Sequence, residues 1–304
     1  MKKTSIYVYS ILIISAAFFW GIIGVFVKGL TALGFSAMEI VAIRVMFACI
    51  LLGAYGTLFK KGEMKIAYKD TYLFIGTGLL SMAFFNWAAF TSMNMLSISV
   101  SVILLYTAPA FVMIMSVMFL KEKLSAEKIL LLIMTLTGCL LVTGLNRTAV
   151  AEGNAWGYII GIGSGFGYAL YSIFGKFAIS KYSSFTVSFY TFLIASIVLV
   201  PYTKIWTKLP LLLNVKAIFY IIGLCMFSTV IAYLLYTEGL KVIESSKASI
   251  LATVEPLTAM LIGIIVFQES ITAIQMLGGG IIFISAILAS VNVKSLIRKR
   301  RTAI

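Results

Sequence analysis

Residues 108–125 read APAFVMIMSVMFLKEKLS, and residues 255–272 read EPLTAMLIGIIVFQESIT. Each stretch is an apolar run that has a proline at its second position and a glutamate two residues after its last apolar residue. Pro109 and Pro256 are 147 residues apart, and the two glutamates have the same separation. The matching order and spacing indicate that the chain contains two copies of one unit.

A third landmark gives the length of that unit. Lys28 follows a Trp-Gly pair by seven residues, and Lys176 follows a Tyr-Ala pair by the same number. These two lysines are 148 residues apart, within one residue of the proline spacing. We therefore predict two repeats, at residues 1–148 and 149–304.

The composition places both repeats in a membrane. Apolar residues make up 62% of the chain and charged residues 11%, against about 25% charged residues in an average soluble domain. A helix needs about 20 apolar residues to cross the hydrocarbon core of a bilayer. Ten such runs lie near residues 7–27, 38–58, 72–91, 97–119, 129–145, 156–178, 185–203, 215–237, 248–267 and 271–293. The predicted fold class is an all-α integral membrane protein with ten transmembrane helices.

Each repeat contains five predicted spans, which determines how the repeats are related. Because five is odd, the second repeat enters the bilayer from the opposite side, and the two repeats are inverted. Inverted repeats around a central cavity are typical of secondary transporters, whose solute site lies near the midplane where the repeats meet.

Basic residues predict the orientation of the bundle. If the N-terminus is cytoplasmic, the cytoplasmic segments hold the lysines at 60–69 and 121–128 and the basic tail at 298–301, while the opposite side holds scattered residues such as Lys204 and Lys208. Cytoplasmic loops carry an excess of Lys and Arg, so we predict both termini in the cytoplasm. The tail at 298–301 is interpreted as a topological anchor, with a specific lipid site as the alternative.

Several motifs resemble the EamA family of the drug/metabolite transporter superfamily. They are Trp20-Gly21, Arg44, residues 108–124, Glu255-Pro256, residues 267–269 and a glycine-bearing last span. The resemblance covers essentially the whole chain. It implies ten helices around a central cavity that the first four spans of each repeat line, and export or exchange of small metabolites, often amino acids, across a bacterial inner membrane. The chain departs from the family at Glu238, where the family usually has a small residue, and the second repeat has no tryptophan matching Trp20.

Polar and aromatic residues within the spans are the candidates for solute binding. A charge at the bilayer centre costs roughly 2.5–3.5 kcal/mol on insertion scales, so such residues usually face a cavity or a partner. Arg44 is predicted either to contact a substrate carboxylate or to pair structurally near the interface. Glu255 is predicted to contact a substrate amine or to carry a coupling proton, with a carboxylate held in a helix contact as the alternative. The predicted substrate cavity comprises Trp20, Arg44, Asn86, Trp87, Tyr106, Tyr168, Tyr171, Tyr233 and Glu255.

Two prolines are predicted to bend their helices. Proline has no backbone N–H, so Pro109 and Pro256 each leave a carbonyl group four residues earlier without its helical donor. In lipid such carbonyl groups need another partner, and they usually face protein or a water-filled cavity. The equivalent placement predicts a pair of kinks around the solute site, with packing alone as the alternative.

Three further glutamates lie at predicted span ends. Glu238 is predicted to pair with Lys241 three residues later or to belong to an inner gate or coupling site. Glu122 and Glu269 each follow the fourth span of a repeat. We predict that they hydrogen bond to open backbone N–H groups at the start of the next helix.

Missing residues argue against other classes of membrane protein. The chain has no histidine, and its three cysteines are scattered within apolar runs, so we predict no enzyme, no metal and no cofactor. There is no Walker A motif and no room for an ATPase domain, which leaves coupling to a proton or other ion, exchange against a counter-substrate, or facilitated diffusion. A channel would need a ring of like residues from an oligomer, and the sequence does not define the oligomeric state.

The predicted partners are the lipid bilayer and a small-molecule substrate. The net charge of +14 is explained by attraction to anionic lipids rather than to nucleic acid, because the basic residues lie between apolar runs. The inverted repeats predict a secondary transporter, and the resemblance to the EamA family implies that it exports small metabolites such as amino acids. Uptake of a vitamin or a nucleotide-like solute is the alternative.

Overall fold

The computed structural model describes residues 3–144 and 154–290, and within them ten helices are long and apolar enough to span a membrane. The first five are α1 Ile6–Ala32, α2 Ala37–Phe59, α3 Tyr68–Met95, α4 Ile98–Leu120 and α5 Ala126–Thr143. The second five are α6 Ala155–Ile179, α7 Ser184–Thr203, α8 Val215–Gly239, α9 Ser245–Phe267 and α10 Ala273–Ser290. The protein is therefore the all-α, ten-span membrane protein that the sequence predicts, although α3 and α9 begin a few residues earlier than expected. The predicted repeat boundary at 148/149 and the basic tail at 298–301 lie outside the described residues.

The second helix of each repeat begins at a matching serine. Ser36 accepts a hydrogen bond from the N–H of Glu39, whose carboxylate accepts in turn from the N–H of Ser36, forming a capping box. Ser183, 147 residues later, begins α7 by accepting from the N–H of Thr186. These caps satisfy backbone donors that a helix start leaves open, and they show that the two repeats are in register at this point.

The fourth helix of each repeat is broken at the same place. The segments are Ile98–Leu105 and Ala108–Leu120 in α4, and Ser245–Ala252 and Val254–Phe267 in α9. Each helix ends in a left-handed residue, Lys121 with φ of 56° and Gln268 with φ of 54°. The next N–H then donates back to the helix, from Glu122 at 3.1 Å and from Glu269 at 3.0 Å. The repeat is thus preserved down to individual backbone hydrogen bonds.

The fifth helices, α5 and α10, pack closely against each other. A Cβ atom on Gly138 would lie 3.0 Å from the carbonyl oxygen of Gly278, and one on Gly278 would lie 2.9 Å from that of Gly138. The hydroxyls of Thr135 and Ser285 share a hydrogen bond of 2.9 Å across the same contact. Small residues allow this close approach, which leaves the other eight helices to surround the space between the repeats.

The two ends of the bundle are named after one lysine each. The Lys28 end carries the loops at residues 33–36, 96–97, 204–214 and 268–272. The Lys176 end carries the loops at residues 60–67, 121–125, 180–183 and 240–244. Because the repeats are inverted, each feature of the first repeat at one end has its counterpart from the second repeat at the other end.

The Lys176 end is tied together by polar contacts between the repeats. Glu63 pairs with Lys60 at 2.5 Å and accepts a hydrogen bond from the Ser183 hydroxyl, and these partners hold the pKa of the Glu63 carboxyl below its usual 4.5. Lys181 donates to Asp70 at 2.6 Å, which raises the pKa of the Lys181 ammonium. Both contacts attach the α2–α3 loop region to the start of α7.

Candidate functional site

A cavity of about 260 Å³ lies between the two repeats. It is bordered by α1, α2, α3 and α4 of the first repeat and by α6, α8 and α9 of the second. Its lining residues are Trp20, Ile23, Gly24, Val27, Ala37, Ile40, Val41, Arg44, Phe85, Asn86, Ala89, Phe90, Met93, Leu105, Tyr168, Tyr233 and Glu255. Because Val27, Ala37 and Met93 lie close to helix ends, the cavity extends from the middle of the bundle toward the Lys28 end.

Arg44 brings a positive charge to the cavity wall. It lies eight residues after Ser36, two turns inside α2, and its side chain is 6% exposed. Within the described residues its Nε has no hydrogen-bond partner, and its Nη2 donates to the Met82 Sδ at 3.8 Å. A buried guanidinium with so few partners is costly, so an oxygen atom of a bound solute would satisfy donors that the protein leaves open.

Three donors converge on the sulfur of Met82. The Tyr233 hydroxyl donates to Sδ at 3.1 Å, and Asn86 Nδ2 and Arg44 Nη2 each donate at 3.8 Å. A thioether is a weak acceptor, so these contacts are poor substitutes for oxygen ligands. Met82 belongs to the π-helical segment Gly76–Ala83 of α3, a local geometry that is frequent at functional sites. The arrangement is chemically suited to an anionic group.

Glu255 brings a negative charge to the same cavity. It lies two residues after the break in α9 and is half-buried. Its carboxylate lies beside the Tyr168 hydroxyl and interacts electrostatically with Arg44. Among the described residues, however, no ion pair of 4.0 Å or less joins Arg44 to Glu255. A cation and an anion thus face one cavity without neutralising each other directly.

Aromatic rings close the cavity toward the Lys176 end. The Trp20 ring lies 5.3 Å from that of Tyr233 and 5.1 Å from that of Tyr236, and the Tyr233 ring also contacts Tyr171 and Phe192 at 5.1 and 5.2 Å. The empty space left among these rings is about 10 Å³, which is barely enough for one water molecule. Within the part of the chain that the structure describes, these rings therefore close the cavity toward the Lys176 end.

Three of the predicted cavity residues, Trp87, Tyr106 and Tyr171, lie elsewhere. Trp87 is 39% exposed and borders an apolar groove of about 290 Å³ on the outside of the bundle, because its neighbour Asn86 faces inward. Tyr106 packs beside Cys139 and Ile282 of α5 and α10. It borders a separate space of about 20 Å³ that Glu255 also reaches. Sequence position alone could not tell which side of the helix each ring occupies.

Tyr171 and Glu238 also lie away from the cavity. Tyr171 is one of the aromatic rings that close the cavity toward the Lys176 end, and its hydroxyl shares a hydrogen bond of 2.6 Å with Thr237. Glu238 pairs with Lys241 at 2.7 Å near the Lys176 end, and both side chains are about a third exposed. This is the i,i+3 pair that the spacing predicts, and a gating role for Glu238 stays a prediction.

The two prolines lie just after the helix breaks. Pro109 and Pro256 occupy the first turn of the second segments of α4 and α9, where a missing N–H is tolerated. The hydroxyls of Thr107 and Thr253 each donate to the carbonyl oxygen three residues earlier at 2.6 Å. Each break follows a segment of eight residues and precedes a longer one, and the break in α9 sets Glu255 on the cavity wall.

The prediction for Glu122 and Glu269 was wrong in its choice of helix. Ser125 and Thr272 cap the following helices, α5 and α10, by accepting from backbone N–H groups. The Glu122 carboxylate instead accepts from the first two N–H groups of α9, in the other repeat. Glu269 makes no such contact within the described residues. Spacing showed that the two residues are equivalent but could not show which helix start lies nearby.

Sequence analysis missed Met82, because a methionine in an apolar run carries no chemical signal of its own. The repeat spacing could have indicated its surroundings. Asn86 and Tyr233 are 147 residues apart, and each follows shortly after a π-helical segment, Gly76–Ala83 in α3 and Met226–Ile231 in α8. Both side chains donate to the Met82 sulfur, so this equivalent pair lies where the two repeats meet.

Several known proteins are similar to this chain. The EamA-like transporter family matches it twice, over residues 8–144 and 155–291. A protein of Archaeoglobus fulgidus named as an uncharacterized transporter is 31% identical over 215 residues, which are 69% of this chain and 75% of that protein. The uncharacterized transporter YwfM of Bacillus subtilis is 23% identical over 300 residues, or 97% of both chains.

The fold is also found in a solved structure. A crystal structure of a protein superposes with a TM-score of 0.79 at 14% identity, covering 95% of this chain and 98% of that one. The two family matches coincide with the two five-helix repeats, and the relatives are named as transporters. The ten spans and the central cavity are those of a multi-pass membrane transporter. The chain belongs to the EamA-like transporter family.

Proposed function

We propose that this transporter exports small zwitterionic metabolites of the amino-acid class across a bacterial inner membrane by alternating access. The observation that carries the proposal is the placement of Arg44 and Glu255 on one cavity wall without a direct ion pair. In this scheme the substrate carboxylate binds Arg44, and the substrate ammonium binds Glu255.

The donors around Arg44 support binding of a carboxylate. A guanidinium binds a carboxylate through two parallel hydrogen bonds, and such charge-assisted bonds are about twice as strong as neutral ones. The Tyr233 hydroxyl converges on the same point, where the Met82 sulfur is its weak acceptor. The Asn86 amide also approaches that sulfur, and it donates to the Met82 carbonyl oxygen at 2.7 Å as well. A substrate oxygen would replace that sulfur as the acceptor.

The rest of the cavity supports an apolar or aromatic substrate side chain. Apolar and aromatic residues, among them Trp20, Ile23, Val27, Phe85 and Phe90, line much of the rest of the cavity. Ligand pockets commonly combine an apolar lining with a few placed polar groups that orient the ligand. The cavity therefore suits an amphipathic solute whose two charges are at one end.

The predicted orientation is compatible with export, which the resemblance to the family implies. With both termini in the cytoplasm, the Lys28 end faces outward, and the cavity is open to the outside and closed to the cytoplasm. An exporter releases its solute from this conformation. A proton taken up by Glu255 after release would reset the site, which makes Glu255 the predicted coupling residue as well as the amine contact.

The first experiment identifies the solute in cells. Untargeted metabolomics would compare medium and cytoplasm for wild type, Glu255→Gln, Glu255→Asp and empty vector. We expect an amino acid or a related zwitterion to be enriched in the medium with wild type and weakly with Glu255→Asp, which keeps the charge. Glu255→Gln should match the empty vector.

Other outcomes would overturn parts of the proposal. A solute that accumulates inside the cell would show uptake, and its identity would test the vitamin or nucleotide-like alternative. An exported solute without an amine would remove the role assigned to Glu255 in binding. Flux assays in proteoliposomes with the identified solute then test coupling, since wild type and Glu255→Asp, which keeps a titratable carboxyl, should both respond to a pH gradient. A Glu255→Gln variant that transports at the wild-type rate with unchanged pH dependence would remove the coupling role.

A further inference from the structure

The Lys176 end is closed by a carboxylate of one repeat that holds a helix start of the other. Glu122, at the end of α4, accepts hydrogen bonds from the N–H groups of Ser245 at 2.6 Å and Ser246 at 3.3 Å, and from the Ser246 hydroxyl. Its side chain is 7% exposed and also pairs with Lys128 at 3.2 Å. A carboxylate stabilises the positive end of a helix dipole and satisfies its open donors, so Glu122 holds the start of α9 in place.

A lysine makes the complementary contact at the same end. The Lys176 Nζ, on α6, donates to the carbonyl oxygens of Leu240 at 2.5 Å and Ile243 at 2.8 Å, where α8 ends. A cation stabilises the negative end of a helix. The turn that joins α8 to α9 is therefore held on one side by an ammonium group and on the other by a carboxylate.

The counterparts of these two residues at the Lys28 end are both disengaged. Glu269 is exposed, and its carboxylate lies over Gly263 of its own helix. Lys28 is exposed, and its Nζ lies 3.8 Å from the centre of the Phe267 ring. Among the described residues, no hydrogen bond joins either side chain to the turn between α3 and α4.

The repeat spacing identifies the groups that these side chains would reach. Ser245 and Ser246 correspond, 147 residues earlier, to Ile98 and Ser99 at the start of α4. The end of α8 corresponds to residues 93–96 at the end of α3. Met93 lines the mouth of the cavity, so closing this turn over the mouth would seal the Lys28 end.

We propose that Glu269 and Lys28 are gate residues of the Lys28 end, matching Glu122 and Lys176 at the opposite end. When the Lys28 end closes, Glu269 accepts from the N–H groups of Ile98 and Ser99, and Lys28 donates to the carbonyl groups at the end of α3. Glu122 and Lys176 release their turn in the same transition. The protein then alternates between two similar sets of contacts, so neither closed end is far more stable than the other.

This proposal concerns movement of the helices and does not depend on the solute. It needs alternation between two closed ends, which the proposed function shares, but its test measures distances with no solute present. If the proposed metabolite is wrong but the label distances change with the gate variants, the gate proposal is supported. If the label distances do not change, the gate proposal is wrong whatever the solute is.

The experiment uses two pairs of nitroxide labels in a variant that lacks Cys49, Cys139 and Cys225. Asn94→Cys with Ser270→Cys reports on the Lys28 end, and Lys123→Cys with Val242→Cys reports on the Lys176 end. Pulsed electron resonance then gives the distance distribution at each end in nanodiscs. All four labelled positions are solvent-facing or half-buried, so the labels should not disturb the core.

Glu122→Gln should weaken the closed Lys176 end. Charged hydrogen bonds contribute about 1.5–3 kcal/mol, so the ratio of the two states should move by about tenfold or more. The Lys176-end distance should lengthen while the Lys28-end distance shortens. Unchanged distances would show that Glu122 does not hold the gate.

The decisive variant combines both carboxylates. If Glu269 closes the Lys28 end, Glu122→Gln together with Glu269→Gln should return the Lys28-end distance toward that of wild type. Lys28→Gln combined with Glu122→Gln should likewise return the Lys28-end distance toward that of wild type. Lys216→Gln, at an exposed position of the same end, should leave both distances as they are in Glu122→Gln alone. The proposal is overturned if the double carboxylate variant closes the Lys28 end as fully as Glu122→Gln alone.

Discussion

Ser36 begins α2 and Ser183 begins α7, and eight residues further on the two repeats hold Arg44 and Thr191. Arg44 faces the cavity with its Nε unpartnered, whereas Thr191 is fully buried and its hydroxyl donates to Thr77 at 2.7 Å. Equivalent positions thus carry a cavity charge in one repeat and a satisfied internal hydroxyl in the other. At this position the repeats have diverged, and only the first repeat presents a charge to the cavity.

The helix ends show the opposite pattern. Glu122 and Glu269 are identical, Lys28 and Lys176 are identical, and both fourth helices are broken beside a proline. Their contacts nevertheless differ. Glu122 and Lys176 hydrogen bond to residues of the α8–α9 turn. Lys28 instead lies over the Phe267 ring, and within the described residues neither it nor Glu269 hydrogen bonds to the α3–α4 turn. This pattern is what we expect if the residues shared by both repeats serve the proposed gates and the residues that differ serve the proposed solute site.

The largest effect should come from Arg44. Arg44→Gln removes the cation that we assign to the substrate carboxylate, and the loss of a charged hydrogen-bonded pair of about 3 kcal/mol corresponds to roughly a hundredfold loss in kcat/KM. Thr191→Ser, at the equivalent position of the other repeat, should stay within about threefold of wild type, because a hydroxyl is retained. Counterflow in proteoliposomes with the identified solute measures both.

Arg44→Lys separates binding from folding. Lysine keeps the charge but cannot make two parallel bonds to a carboxylate, so KM should rise about tenfold with little change in kcat. If Arg44→Gln transports like wild type, or if Thr191→Ser is equally impaired, the difference between the repeats has nothing to do with the solute.

Most of the fold could be predicted from the sequence, since it depends on hydrophobic length and repeat spacing. Ten runs of about 20 apolar residues define the spans, and landmarks such as Pro109 and Pro256 define the duplication. The odd number of spans per repeat then requires inversion. The errors are at span ends, as at the start of α3, because polar residues near the interface continue the helix beyond the apolar run.

The site was harder to predict because it depends on which face of a helix points inward. Arg44 and Glu255 could be selected because a charge within a span is costly and usually faces a cavity or a partner. Trp87 was misplaced because aromatic residues face lipid as readily as a cavity. Met82 was missed, and Glu122 was assigned to the wrong helix, since contacts between repeats are not encoded in local spacing.

A smaller effect is expected from Ser246, whose hydroxyl contacts Glu122 at the Lys176 end, than from a loss of Glu122 itself. Ser246→Ala removes the hydroxyl that donates to Glu122 but keeps the backbone N–H. Loss of one hydrogen bond of about 1 kcal/mol should shift the states about fivefold toward an open Lys176 end. The equivalent Ser99→Ala should not favour that opening, and the same pairs of nitroxide labels measure both. Equal shifts from the two serines would mean that the ends do not differ in the way the contacts indicate.

The smallest effect should come from Glu63, which attaches the loop at 60–67 to α7. Because the pKa of the Glu63 carboxyl is lowered, its contribution is present above its usual pKa of 4.5 and is lost as the pH falls through the lowered value. Half-exposed ion pairs contribute about 0.2–1 kcal/mol, so Glu63→Gln at pH 7 should raise amide exchange in that loop about two- to threefold. Exchange in the loop at 33–36, at the Lys28 end, should not change. In wild type, acidification should produce the same local loosening once exchange is corrected for its intrinsic pH dependence. An unchanged loop at 60–67 in the variant would show that backbone contacts alone hold it, such as the carbonyl group of Glu63 that accepts from Thr186 at 2.7 Å.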